Sequence, residues 1–309
     1  MKIITLTLNP AFDIHCYTEN FLPFHENLAK VTDREAGGKG VNISRALCVN
    51  GVPNLALVVL GQENADSFRK SLDSDKMTYC EVITEGRIRE NITIHTNGAK
   101  ETRISFSGFD ADVSLLGKIE ENLSDIDISD TLLTFTGRVP TGLSIDDVKS
   151  FLHRLQSRGA KLVIDSRSFS LADLVEMKPW LIKPNEEEIS EYLGREISSF
   201  SQVGAAAREL CEAGIENVMI SLGEKGAMLV CRDGRFEATP PSIEAVSTIG
   251  AGDSSIAGFL AATVRGLSPY DRLRTAVAYG TSACLTSGTR PPKREDVEKI
   301  LKNVIVAES

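Results

Sequence analysis

The sequence predicts an α/β protein: a mostly parallel sheet between two helical layers, with a small second β-sheet standing apart as a lid. Three observations carry this. From about residue 130, short apolar runs alternate with helical patterns, which implies strand–helix–strand units and a parallel sheet covered on both faces. Over the first 110 residues, polar-alternating segments interrupt two apolar runs, as strands with one wet face do. The 309 residues, 42% hydrophobic and 25% charged, suffice for one large domain with such an insertion.

Taken in order, Lys2–Leu8 and Leu55–Leu60 read as core strands flanking a helix from about Gly40 to Asn50, ended by Gly51. Between and after them, Phe12–Thr18, Ala29–Glu35, Cys80–Thr84, Arg89–Thr96 and Lys100–Ser107 alternate and are assigned to the small sheet. Around Asn97-Gly98 a two-residue loop would set Ile92 against Arg103 and mix the faces. A three-residue loop over 97–99 sets Ile92 against Ile104 and Thr93 against Arg103, leaving one apolar face, and is preferred. Arg89, Asn91, Thr93 and Arg103 then share the opposite face. The lid segments are therefore placed at about 12–35 and 80–108, within a single domain spanning 1–309.

Further strands are expected at Thr131–Phe135, Lys161–Asp165, Trp180–Lys183, Asn217–Ser221 and Ala227–Cys231. Ile145, Val148, Leu152 and Leu155 mark one intervening helix, and Val203 to Ala213 another. Gly223 to Gly226 and Arg232 to Arg235 read as tight turns. Near the end, Ile256, Phe259, Leu260, Thr263 and Val264 have the spacing of a helix with one buried face.

Composition excludes several classes. The net charge of −9 without a basic run argues against a nucleic-acid surface. No apolar stretch reaches membrane-span length, and residues 1–8 run into Asn9-Pro10 without a signal-peptide cleavage pattern. The six cysteines are scattered with no C-x-x-C pair, so a reducing cytoplasmic setting is expected. The four histidines show no metal-ligand spacing. There is no G-x-x-x-x-G-K-[ST] loop, and Gly250-Ala251-Gly252 lacks the third glycine of a dinucleotide fingerprint.

The chemistry concentrates in a few places. Gly250-Ala251-Gly252-Asp253 is a glycine turn entering a helix, whose free N–H groups suit a phosphate or oxyanion. Asp253, beside that cradle, could take a proton from an attacking hydroxyl, although an acid at a helix start is often only a cap. Glu35 to Asn42 is a second glycine cluster opening a helix, with Lys39 inside it as a point charge and Asn42 one turn on. Asp13 follows the first strand, at the end where α/β sheets bind ligands. Asn185 and Glu188, after Lys183-Pro184, offer two oxygens to Mg²⁺ or its waters, or simply start a helix. Ser221-Leu222-Gly223 reads as a weak nucleotide loop.

Together and in this order, Leu6-Thr-Leu-Asn-Pro-Ala-Phe-Asp13, Ala36-Gly-Gly-Lys-Gly-Val-Asn42, Gly86 to Asn91, Lys183 to Glu188, Ser221-Leu-Gly and Gly250-Ala-Gly-Asp253 closely resemble the ribokinase-like (PfkB) sugar kinases. Within them the chain is most similar to the branch containing 1-phosphofructokinase and tagatose-6-phosphate kinase. The resemblance implies a ribokinase-like three-layer core with a β-sheet lid and an ATP- and Mg²⁺-dependent phosphorylation of a phosphorylated ketohexose. Fructose 1-phosphate is the first choice of substrate; tagatose 6-phosphate, or an altered sugar, is the alternative. It makes Asp253 the general base and the backbone of Gly250, Ala251 and Gly252 the anion hole. Asp13, Gly38, Lys39 and Asn42 would hold sugar hydroxyls, Arg89 would clamp the substrate's phosphate from the lid, and Arg103 would assist. Asn185 and Glu188 would serve Mg²⁺ and the ATP phosphates. Ser221, Gly223, Gly226 and Gly252 would line the nucleotide, with Ala278 to Ser282 walling the adenine. A homodimer through the lid is also implied, since an open sheet edge invites a partner. The chain departs from the pattern at Arg138, where many relatives carry a serine, at Asp165-Ser-Arg167 in place of D-x-S-G, and at Ser247, where ribokinase has an aspartate.

Overall fold

The computed structural model describes residues 1–97 and 101–308. The N-terminal part runs β1 (Lys2–Thr7), β2 (Ala11–Tyr17), β3 (Lys30–Gly37), α1 (Lys39–Val49) and β4 (Leu55–Gly61). It continues through α2 (Ala65–Ser74), β5 (Tyr79–Thr84), β6 (Arg89–His95) and β7 (Thr102–Ile104). Next come α3 (Ser114–Asn122), β8 (Thr131–Thr136), α4 (Ile145–Ser157), β9 (Lys161–Asp165), α5 (Leu171–Met177) and β10 (Leu181–Ile182). They are followed by α6 (Glu186–Leu193), α7 (Phe200–Glu212), β11 (Asn217–Ser221), β12 (Ala227–Cys231) and β13 (Gly234–Thr239). The chain closes with α8 (Ala251–Val264), α9 (Pro269–Ala283), α10 (Arg294–Leu301) and β14 (Ile305–Glu308).

Among the described residues the strands form a ten-stranded sheet, ordered β14-β13-β12-β11-β10-β9-β8-β1-β4-β5, and a four-stranded sheet, β3-β2-β6-β7. From β11 to β5 neighbouring strands are parallel, while β11 to β14 pair antiparallel. Alternation along each buried strand splits the core in two. Leu57 and Val59 join the layer holding Leu116, Phe151, Leu174, Ile189 and Ala206 of α3 to α7. Ile3, Leu132 and Met219 join Ile43, Phe259 and Leu273 of α1, α8 and α9 on the other side. Three layers result.

Two expectations need correction. Cys80–Thr84 belongs to the large sheet, where β5 pairs in parallel with β4 (Leu57 opposite Cys80), so the second lid segment starts near Arg89. An edge strand buries one face only and so alternates as a lid strand would. The helix after Gly250 is not buried on one face. Ser254, Ala257, Gly258, Ala261 and Ala262 are buried as well as Ile256 and Phe259, because α1 lies on one side of α8 and α9 on the other. The small residues that broke the periodic pattern are what let two helices approach.

The lid register is the one the three-residue loop requires: Ile92 faces Ile104 and Thr93 faces Arg103. Residues 98 and 99 of that loop lie outside the described residues. The lid is pinned to the core by Phe12, Ala36 and Ile88, which pack with Val41, Val58 and Phe68. Phe12 meets Phe68 edge-on at 5.3 Å.

Candidate active site

A parallel sheet delivers every strand's carboxyl end to one edge. Thr136 at the end of β8 is level with Asp165, and Ile182 of β10 is level with Ile164, which brings Lys183 alongside Asp165. Across the sheet the edge therefore reads Ser221, Lys183, Asp165, Arg138, Asn9. The starts of α1 and α8 and the lid face β2–β6 close over this row.

Gly250 caps α8 with φ 78°, a left-handed conformation that a side chain resists. The turn sets Asp253 in the first helical turn, 7% exposed. Its Oδ2 accepts a hydrogen bond from Asn42 Nδ2 at 2.9 Å, joining residues 211 positions apart in the sequence. Burial pushes the Asp253 carboxyl up to about 6; Lys39 and the Asn42 bond oppose the shift, and the Asp165 charge adds to it. A carboxylate with this poise can accept a proton near neutrality and release it again. Asn42 Oδ1 is buried with no partner.

Gly38, φ 117°, precedes the first turn of α1 and brings Lys39 inward. The Lys39 ammonium lies 2.8 Å from Asp165 Oδ2. Burial alone would lower its pKa, but Asp165 and then Asp253 outweigh it and hold the group protonated. Lys183, which the sequence reading left without a role, is 7% exposed. A Cβ on Gly252 would lie 3.2 Å from its Nζ, so a buried ammonium sits against the helix start proposed as an anion hole. Its signal was the strand-end position; its burial is a tertiary fact.

From the lid, Asp13 Oδ1 accepts from Asn91 Nδ2 at 3.0 Å. Arg89 donates to the carbonyls of Phe106 and Asn9, each at 3.2 Å, while its Nε is buried without a partner. Burial lowers the Arg89 pKa; Asp13 opposes the shift and the like charge of Arg138 adds to it. Among the described residues neither arginine has an ion pair. Arg103 faces Thr93 on the outermost lid strand, exposed, and shares the polar face without a hydrogen bond to the others.

At the nucleotide end, Asn185 and Ser221 form a bridge between chain segments, and Gly223–Lys225 is a 3₁₀ turn ended by Gly226 at φ 100°. Asn185 and Glu188 form a capping box: Asn185 Oδ1 accepts from Glu188 N at 2.7 Å and Glu188 Oε2 from Asn185 N at 3.0 Å. Glu188 Oε1 also accepts from Arg167 Nε at 2.8 Å. Each Glu188 oxygen keeps a free lone pair, so the pair fits a hydrated Mg²⁺ held through water rather than a directly ligated one. Ala278 is fully buried in the core. It packs in the core with Ile256, Phe259 and Leu273 and offers no surface to a base.

An acid with a raised pKa, an anion-ready helix start and unpaired cations on one crevice call for a phosphoryl donor and an anionic acceptor. Comparison with known proteins decides the family. Residues 8–296 match the pfkB family carbohydrate kinase model. The chain belongs to that family. The 1-phosphofructokinase of Escherichia coli is 30% identical over 98% of this chain and 97% of its own, and that of Borreliella burgdorferi 33% over 98% of both. Phosphofructokinase-2 from Escherichia coli, crystallised with substrates and products, superposes with a TM-score of 0.93 at 26% identity over 98% of this chain and 99% of that one. This kinase is thus a phosphotransferase acting on sugars, with the three-layer fold and lid of its relatives. Among the described residues no helix is long and apolar enough to cross a membrane.

Proposed function

We propose that this kinase transfers the γ-phosphoryl group of ATP to fructose 1-phosphate, giving fructose 1,6-bisphosphate and ADP. The observation that carries the reading is the Asn42–Asp253 hydrogen bond. It holds the sugar-side helix start and the acid of the anion turn on one crevice, with the lid arginines opposite. Asp13 and Asn42, beside Gly38 and Lys39, hold the sugar's hydroxyls. Arg89, assisted by Arg138 and Arg103, takes the resident phosphate. The two unpaired guanidiniums at Arg89 and Arg138 repel one another until an anion arrives, so a dianionic substrate is favoured over a neutral sugar.

The acceptor hydroxyl gives its proton to Asp253 as its oxygen bonds the γ-phosphorus and the bond from phosphorus to the β-bridging oxygen breaks, releasing ADP. The amides at 250–252 and the Lys183 ammonium neutralise the charge on the transferring group. Ser221, Gly223, Gly226 and Asn185 cradle the nucleotide. Glu188 and Asn185 would hold Mg²⁺ through water, and the ion would supply charge neutralisation on the ATP phosphates. The name 1-phosphofructokinase, carried by the two relatives described above, supports the acceptor chosen. Two copies pairing through the lid complete the proposal.

A coupled ADP-release screen over fructose 1-phosphate, fructose 6-phosphate, tagatose 6-phosphate and unphosphorylated sugars tests it. Fructose 1-phosphate should give the highest kcat/KM. Free sugars outperforming every phosphorylated one would remove Arg89 and Arg138 from their role.

A further inference from the structure

We infer that Asp165 is a positioning residue of this reaction, its carboxylate fixing the Lys39 and Lys183 ammonium groups on the two sides of the path the phosphoryl group takes. The inference rests on the kinase reading and deepens it. Asp165 ends β9 in the middle of the carboxyl edge, between the nucleotide-side Lys183 and the sugar-side Arg138. Its Oδ2 lies 2.8 Å from Lys39 Nζ and its Oδ1 3.8 Å from Lys183 Nζ. The Asp165 and Lys183 side chains are 5% and 7% exposed. The two lysines come from different elements, the start of α1 and the residue after β10, and among the described residues neither has another ion pair.

A lysine head hangs on four rotatable bonds; the buried Lys183 ammonium must stay with its counter-ion, and the partly exposed Lys39 head is held by the 2.8 Å pair and by a second bond to the Asp165 carbonyl. The carboxylate therefore decides where both heads rest. Asp253 cannot do this. Its Oδ2 is taken by Asn42, and its charge disappears when it accepts the proton, at the moment both ammoniums are needed by the phosphoryl oxygens. Asp165 keeps its charge throughout: burial would raise its pKa, but Lys183 and Lys39 outweigh that and hold it below the ordinary value. Its oxygens face the lysines rather than open solvent, so it acts through them.

The test is Asp165→Asn, which keeps the shape and removes the charge. With a native circular-dichroism spectrum, kcat should fall about 100-fold, the scale of a small misplacement of reacting groups. The acid limb of kcat/KM should move to lower pH, because the Asp165 charge helps keep the proton on Asp253. The infrared carboxyl band that Asp253→Asn abolishes should titrate at correspondingly lower pH in the ligand-free enzyme. In a Lys39→Met background, Asp165→Asn should cost much less than in the wild type. An unmoved limb and band, additive losses, or activity restored by raised Mg²⁺ would each overturn the inference, the last by making Asp165 a metal ligand. Should Asp165→Asn not fold, the Lys39→Met and Lys183→Met pair serves. A shared carboxylate requires their losses to be non-additive, and additive losses sink the idea. Wild-type enzyme inert on every sugar phosphate ends the kinase reading itself; active wild type with additive variants ends only the role of Asp165.

Discussion

Asp253 is buried, and that burial has two measurable consequences. With the carboxyl at about 6, kcat/KM should fall about tenfold per pH unit below pH 6; a limb centred near pH 4 would mean another group is titrating. The second consequence concerns stability. The folded-state pKa lies above the ordinary 3.8, so protonation favours the fold. That contribution is full below pH 4 and is lost as the pH rises through 6. Asp253→Asn should lower kcat by ~10²–10⁴-fold while removing a penalty of roughly 3 kcal/mol at pH 8. Its Tm relative to wild type should therefore be several degrees higher at pH 8 than at pH 5. An equal difference at both pH values contradicts the assignment. At Arg138, substitution by serine should raise KM for the sugar phosphate about tenfold, the worth of one charge-assisted hydrogen bond, and leave kcat and the KM for ATP near wild type. An unchanged KM removes Arg138 from the substrate.

Between elements, the lid strand β3 is tied to the segment after α9. Arg290 binds Asp33 at 2.6 Å and Glu35 at 3.0 Å, and Thr289 Oγ1 donates to Glu35 at 3.1 Å. Arg290 is more than half exposed, so these pairs contribute about 0–1 kcal/mol. Arg290→Ala should shift Tm by at most ~4 °C, yet raise KM for both substrates several-fold, since the tie joins the lid to the segment beside Gly250. A large Tm loss with unchanged KM would make the tie purely structural. The elements differ in how far the sequence reveals them. The β8, β9, β11 and β12 strands were legible to within a residue because buried strands are short apolar runs bounded by helical patterns or tight turns. The lid register was legible because slipping by one residue would set Arg103 against Ile92 and mix the two faces. β5 misled because an edge strand buries one face only. The glycine clusters and Asp253 were legible because backbone chemistry near a phosphate demands those residue types. Lys183 and Asp165 were not, since their significance lies in contacts such as Lys39 to Asp165 across 126 positions.

On the scale of the whole molecule, the exposed apolar side chains are unevenly spread. Tyr17, Leu22, Phe24, Leu28, Val31, Ile104 and Phe106 all lie in the lid segments, Phe24 and Leu28 almost wholly exposed. Phe24 also holds a left-handed φ of 67°, which a large side chain adopts at a cost. A concentration of exposed apolar groups on one sheet and its flanking segments, chiefly the β2–β3 connection, with β3 and β7 as open edges, marks an interface more readily than a solvated surface. Burying each large side chain contributes about 1.5–3 kcal/mol, so a few of them suffice for association at micromolar concentration. Light scattering at that concentration should give twice the chain mass. Phe24→Asp with Leu28→Asp should give the monomer without loss of Tm beyond that of dimer dissociation. Because Asp13, Asn91 and Arg89 stand on the neighbouring lid strands β2 and β6, the monomer should also show a raised KM for the sugar phosphate. A wild-type monomer rejects the pairing outright. A dimer indifferent to both substitutions relocates the interface away from the lid.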